Sequence, residues 1–332
     1  MSFARSPYHR SGFVVLSAFV LVVGFLFAAP RHAFAADPGV GIAKPAPPKK
    51  QDHPTPLNNN PVTYHGGSIQ DTPTTYLVMW GNQWGTGTEV TNDPKGLMTL
   101  QINLLTRLYG AADNWSTSAT QYCSGIAIGA VDCSQAKTFV GHPASDPMHG
   151  FWLDNSAATP QSPSQGDIAA EAVKAAQHFG VSGTNVQIIV DMPQGITPTG
   201  FSNQYCAWHS WTNMPDNSRI TYTNMPYMTD AGDSCGANSV AVGSTGVDAS
   251  TEGVTIVGGH EYGETLTDPG TGDGWTDDTG VSGETADKCA WTNMGIVKIE
   301  GMNFAVQPLW SNNANSGNGG CVKYYNSATD QG

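Results

Sequence analysis

Six cysteines constrain this chain more than any other feature: Cys123, Cys133, Cys206, Cys235, Cys289 and Cys321. They follow an N-terminus that reads as an export signal. Arg5 and Arg10 form a basic start, Gly12 to Ala29 is an apolar run, and Ala33-Phe34-Ala35 offers a small-x-small cleavage site before Ala36. An uncleaved membrane anchor is the rival reading of that run, and Pro30 with the cleavage site favours removal. An even number of cysteines in an exported chain predicts disulfides. Proximity in the sequence favours Cys123–Cys133, Cys206–Cys235 and Cys289–Cys321. A cysteine metal site is disfavoured because no C-x-x-C occurs.

The expected organisation is a signal peptide over 1–35, a Pro-rich linker over 36–62, a domain over 63–327 and a short C-terminal tail over 328–332. The linker has no apolar period and cannot bury a core. Loss of residues 1–35 removes Arg5, Arg10 and Arg31 and no acid, which takes the net charge from −13 to −16. An acidic, lysine-poor surface argues against nucleic acid and anionic membranes as partners. No later segment suggests stable membrane insertion after cleavage. The expected location is extracellular.

Within the domain, "TYLVMWG" (Thr75 to Gly81) and "VQIIVDMP" (Val186 to Pro193) are dense β-branched runs that predict buried strands. Asp93 and Pro94 open an amphipathic helix that Gly110 ends, with Leu97, Leu104, Leu105 and Leu108 on one face. Asp167 caps a second helix that runs to Phe179. A hairpin is expected around Gly301, and an irregular stretch between Pro193 and Ser250. The fold class predicted is α/β of the α+β variety: one layered domain with a mixed sheet, helices packed on it and long disulfide-tied loops.

The chemistry concentrates in "VGGHEYGETLTDP". Ser250 or Thr251 can cap a helix that starts at Glu252, and Pro269 ends it. Its four glycines, Gly253, Gly258, Gly259 and Gly263, each cost about 1 kcal/mol against alanine; they make sense if another backbone packs very close and otherwise argue that the segment is not a helix. On such a helix His260 and Glu264 share a face and can reach one cation, as the histidines of H-E-x-x-H do. Glu261 occupies the place of the base that activates metal-bound water. Replacement of the second histidine by Glu264 leaves zinc acceptable and favours harder ions relatively more. Downstream, "SGETADKCAW" offers Glu284 and Asp287 as further ligands, with Cys289 as an anchor. His209 is a candidate ligand or transition-state donor. The acids Asp268, Asp273, Asp277 and Asp278 could hold a structural calcium or form a solvated turn. Asp146, His149 and Asp154 read as a polar loop, and Asn114-Trp-Ser is a glycosylation sequon only in a glycosylating host.

These blocks, in the order "YCAWHSW", "GGHEYGETLTDP", "ETADKCAW" and "QPLWSNN…GGC", resemble the phosphate-induced protein 1 (EXORDIUM) family of secreted plant proteins. His209, His260, Glu261, Glu264, Pro269, Glu284, Asp287 and Cys289 match that family's pattern, and Asp268 departs from it by standing where the family has Asn. The resemblance implies export and a shared site, without an agreed reaction. The functional expectation is a zinc-dependent peptidase: His260, Glu264, Glu284 and Asp287 on the metal, Glu261 as base, His209 steadying the oxyanion. Peptide or cell-wall polymer is the expected substrate. The alternative is a non-catalytic extracellular, wall-associated binding protein with a structural cation.

Overall fold

The computed structural model describes residues 60–143, 145–240, 246–277 and 283–325. The expected signal peptide, most of the linker, the C-terminal tail and Asp278 lie outside them. In chain order the strands begin with β1 (Thr63–Tyr64), β2 (Thr74–Trp80), β3 (Cys123–Ser124), β4 (Thr138–Phe139), β5 (Met148–Asp154) and β6 (Val186–Asp191). They continue with β7 (Trp208–Asn213), β8 (Arg219–Met225), β9 (Trp275–Thr276), β10 (Gly295–Ile299), β11 (Met302–Val306), β12 (Leu309–Ser311) and β13 (Gly320–Val322). The main helices are α1 (Leu97–Leu105), α2 (Gln165–Phe179) and α3 (Glu252–Thr267).

A five-stranded mixed sheet of order β5-β2-β6-β8-β7 carries the fold. Its first four strands run parallel and β7 closes the edge antiparallel to β8. Alternation along the strands divides the core in two. Tyr76, Val78, Ile188 and Val190 pack with α2, whereas Leu77, Met79 and Ile189 join the cluster that holds α1 and α3. Helices therefore cover both faces, which is why β2 and β6 read as unbroken apolar runs.

Local signals explain the helix ends. Ser164 caps α2 and forms a reciprocal capping box with Asp167, so the helix starts two residues before Asp167; Gly180 ends it at φ 69°. Helix α1 starts later than expected. Residues 93–96 form a turn, and the Asp93 carboxylate accepts from the amides of Leu97 and Met98 at 3.0 Å each. A side-chain cap thus acts across a turn that Gly96 closes at φ 67°.

Two expectations need correction. The stretch from Pro193 to Ser250 is not irregular throughout, because β7 and β8 form a hairpin within it. "MHGFWLD" is not a polar loop but the edge strand β5, with His149 and Phe151 exposed on alternate positions. The hairpin around Gly301 is present as β10–β11, with Glu300 and Gly301 both at positive φ. Its second arm stops at Val306, and Leu309–Ser311 pairs instead with β13.

All six cysteines are bridged, as Cys123–Cys133, Cys206–Cys235 and Cys289–Cys321. The disulfides fit a secreted or extracellular protein. Among the described residues no helix is long and apolar enough to cross a membrane.

Candidate functional site

Helix α3 is the centre of the site, and every residue of it except Gly258 is buried. It starts at Glu252, after a turn capped by the Asp248 side chain rather than by Ser250 or Thr251. The glycines are required, but for different neighbours. A Cβ on Gly253 would run into the carbonyl oxygen of Cys235. One on Gly259 would come within 2.9 Å of the Trp115 ring, and one on Gly263 within 2.7 Å of Leu309. Close backbone packing thus explains Gly253, and large side chains explain Gly259 and Gly263.

Three elements meet at the polar face of α3. The helix brings His260, Glu261 and Glu264; β7 brings His209; the segment after Gly283 brings Glu284 and, in a short 3-10 turn, Asp287. The last segment is fixed by a bridge between Glu284 and Thr276 and by Cys289–Cys321. The neighbouring Lys288 ammonium reaches Asp277 at 2.8 Å and lies 4.3 Å over the Trp310 ring. All six predicted side chains are brought together. His209, His260, Glu261, Glu264 and Glu284 are 0% exposed, and Asp287 is 7% exposed.

They fall into two groups that share Glu264. In the first, His260 Nε2 lies 3.0 Å from Glu264 Oε1 and 3.4 Å from Asp287 Oδ1. The Asp287 amide also donates to Glu264 Oε1 at 2.8 Å. In the second, His209 Nδ1 lies 3.3 Å from Glu261 Oε2 and 3.6 Å from Glu264 Oε2. His209 Nε2 faces the Asp268 carbonyl at 3.2 Å and Glu284 Oε1 at 3.5 Å. Glu284 therefore stands beside His209, while Asp287 stands beside His260.

Carboxylates hold both imidazoles toward the charged form against burial, and the two differ in their hydrogen bonding. Both nitrogens of His209 face acceptors, which only an imidazolium can satisfy. Burial opposes its charge, yet Glu261, Glu264 and Asp268 outweigh burial and lift its pKa to about 9. Both ring nitrogens of His260 are buried and neither has a well-aligned hydrogen bond, yet the Glu264 and Asp287 carboxylates beside Nε2, with Glu261, outweigh burial and hold its pKa well above the ordinary histidine value. Glu264 Oε2, both oxygens of Glu284 and Asp287 Oδ2 are likewise buried without a hydrogen-bond partner. Burial pushes the carboxyls of Glu264, Glu284 and Asp287 up, and mutual repulsion adds to it.

Such a set fits a divalent cation. One imidazole nitrogen and two or three carboxylates are an acceptable ligand set for zinc and for harder ions. A cation would use oxygens that otherwise lose water and gain nothing in return. His260, Glu264 and Asp287 are the residues that would hold it. His209 is already bonded on both nitrogens, so it suits the role of a charged neighbour better than that of a ligand.

Of the acids after α3, Asp268 and Asp277 are occupied by protein donors, whereas Asp273 Oδ1 is buried without a hydrogen-bond partner. Asp268 accepts from the amides of Gly272 at 2.5 Å, Asp273 at 3.3 Å and Gly274 at 2.8 Å, and Asp277 pairs with Lys288. The Asp268 carbonyl, as the second partner of His209, was not legible in the sequence, because main-chain acceptors leave no residue signal. No protein family, curated protein or solved structure shows significant similarity to this chain.

Proposed function

We propose that this chain is an exported α+β protein, one layered domain related to the EXORDIUM family, built around an enclosed divalent-cation centre of His260, Glu264 and Asp287. The observation that carries this reading is His260: a 0% exposed imidazole with neither nitrogen hydrogen-bonded, held within 3.0 and 3.4 Å of two carboxylates. In this reading the cation is a clip. It joins α3 to the segment that bears Asp287, and His209 joins β7 to the shared Glu264 as an internal counter-charge. Enclosure supports a structural role, because a catalytic metal keeps a position open to water and substrate.

The test is thermal unfolding of the secreted protein before and after removal of divalent ions by a chelator. A cation at one hundred times its Kd adds about 2.7 kcal/mol to the folded state. The melting temperature should fall on chelation and recover on adding back Zn, Mn or Ca. An unchanged midpoint in all conditions would count against the clip.

A second reading, a zinc-dependent peptidase, is favoured by one specific feature. Glu261 lies next to His260 in the chain, points into the same cluster and meets His209 at 3.3 Å. In this reading Glu261 takes the proton of the attacking water and the His209 imidazolium faces the developing oxyanion. Glu261→Gln should then keep cation and fold yet silence cleavage of a peptide library. Wild-type protein that cleaves no member of the library supports the clip over the enzyme.

A further inference from the structure

Away from the cation centre, two hollows of about 750 and 560 Å³ adjoin one another and share Thr120, Phe139 and Tyr325 in their linings. Each lies within the size range of ligand clefts, roughly 300–1,000 Å³. Three of the five large apolar side chains exposed among the described residues line them: Val131 at 45%, Phe139 at 43% and Tyr324 at 58%. Exposed aromatic surface gathered at one concavity marks a binding site more often than chance exposure does.

A disulfide and hydrogen bonds tie the platform to its neighbours. Phe139 sits on β4, paired to Cys123 of β3, and Cys123 is bridged to Cys133. The Tyr324 hydroxyl donates to the Ile296 carbonyl at 2.9 Å, and the Val131 carbonyl accepts from Asn312 Nδ2 at 2.9 Å. Neither Phe139 nor Tyr324 packs against another aromatic ring among the described residues. With 43% and 58% of their surface exposed, both side chains keep area free for a ligand.

The remaining lining selects the ligand's chemistry. Neither hollow is lined by lysine or arginine among the described residues, and Asp132 is the one carboxylate. The whole chain carries −13. Phosphates, uronates and nucleic acids thus meet no lysine or arginine, and His142 is the one basic side chain among the described lining residues. Asn114, Thr117, Thr120 and Asn313 surround the rings with groups that donate or accept. Pyranose rings combine an apolar C–H face, which stacks on an aromatic ring, with a rim of hydroxyls that bond amides and hydroxyls. From this we infer that the joined hollows are a binding groove for a neutral polysaccharide chain, with Phe139 and Tyr324 as its two stacking platforms. The site is independent of the cation centre and shares no residue with it.

Affinity electrophoresis tests it on the full secreted chain, produced in a host that does not glycosylate Asn114. The gels contain xyloglucan, mixed-linkage β-glucan, galactomannan or polygalacturonate, and a proline-rich peptide is titrated separately. At least one neutral glycan should retard the protein. Phe139→Ala and Tyr324→Ala should each weaken that interaction about tenfold or more while leaving the melting temperature unchanged. Phe151→Ala removes an aromatic exposed to 53% on β5, outside the groove, and should leave binding intact. Retardation by none of the neutral glycans overturns the inference. So does binding only of polygalacturonate or the peptide, binding that survives both groove substitutions, or an equal loss with Phe151→Ala.

Discussion

His260 and Glu264 stand four residues apart on α3, and their side chains meet at 3.0 Å in a place no water reaches. The same Glu264 carboxylate also accepts the Asp287 amide and faces His209. One side chain thus ties the helix, the edge strand and the disulfide-anchored segment together. Glu264 is the pivot of the site.

Glu264→Gln should cost more than the loss of one contact. It removes the negative charge that faces His260 and His209, leaves one oxygen for the Asp287 amide, and removes a ligand. Breaking a buried charge pair on one side typically costs about 3–5 kcal/mol. Denaturant unfolding should show a drop of that order. A loss below about 1 kcal/mol would show that the cluster does not depend on this residue.

The Cys289–Cys321 bridge should matter to the site as well as to the chain. Cys289 closes the 3-10 turn that begins at Asp287. Replacing both cysteines by alanine should lower stability by about 2–4 kcal/mol and weaken cation binding. Loss of the Cys123–Cys133 bridge, far from α3 in the chain, should leave cation binding as it was. Titration of a fluorescent chelator against each variant gives the comparison.

The glycines of α3 give a test of packing alone. Gly253→Ala should destabilise by about 1–3 kcal/mol despite alanine's better helix propensity, because the methyl group meets the Cys235 carbonyl. Gly258→Ala should be tolerated, since its Cβ would lie 3.4 Å from the flexible end of Met225. Thermal unfolding of the two variants should move in clearly different amounts.

Much of this was legible in the sequence, and the failures have physical reasons. Helix α2, β2 and β6 announced themselves because their caps and apolar runs are local. The β7–β8 hairpin did not, because its buried positions include Ser210, Thr221, Thr223 and Asn224, which read as loop. Strand β5 is an edge strand whose exposed positions carry His149 and Phe151, so no apolar–polar alternation marked it. For the site, the i, i+1, i+4 spacing placed His260, Glu261 and Glu264 correctly on a helix. It did not tell which carboxylate would join which histidine. Helix α3 is buried all round, so its polar face could not be matched to a partner from the sequence. Only the fold of the segment after Gly283 puts Glu284 against His209 and Asp287 against His260.

Asp191 predicts the pH dependence. It ends β6, is buried, and receives Gln101 Nε2 on Oδ1 while Oδ2 has no hydrogen-bond partner. Burial pushes its carboxyl up to about 8, and Asp93 adds to the rise. The unfolded chain releases this proton near pH 4, the ordinary value for Asp. The folded chain keeps it until about 8. The unfolded state therefore binds fewer protons across that window, and stability falls as pH rises through it. Asp191→Asn should flatten the decline in unfolding free energy between pH 5 and pH 8. An identical slope in wild type and variant would assign the dependence to other groups.

The most direct measurement is elemental analysis by mass spectrometry of protein purified from secretion medium, then loaded with Zn, Mn or Ca and desalted. Wild type should retain about one divalent ion per chain. His260→Ala should retain none, and Glu261→Gln should retain the wild-type amount. A wild type that holds no ion after loading, or a His260→Ala variant that holds one as firmly, would contradict the enclosed cation centre.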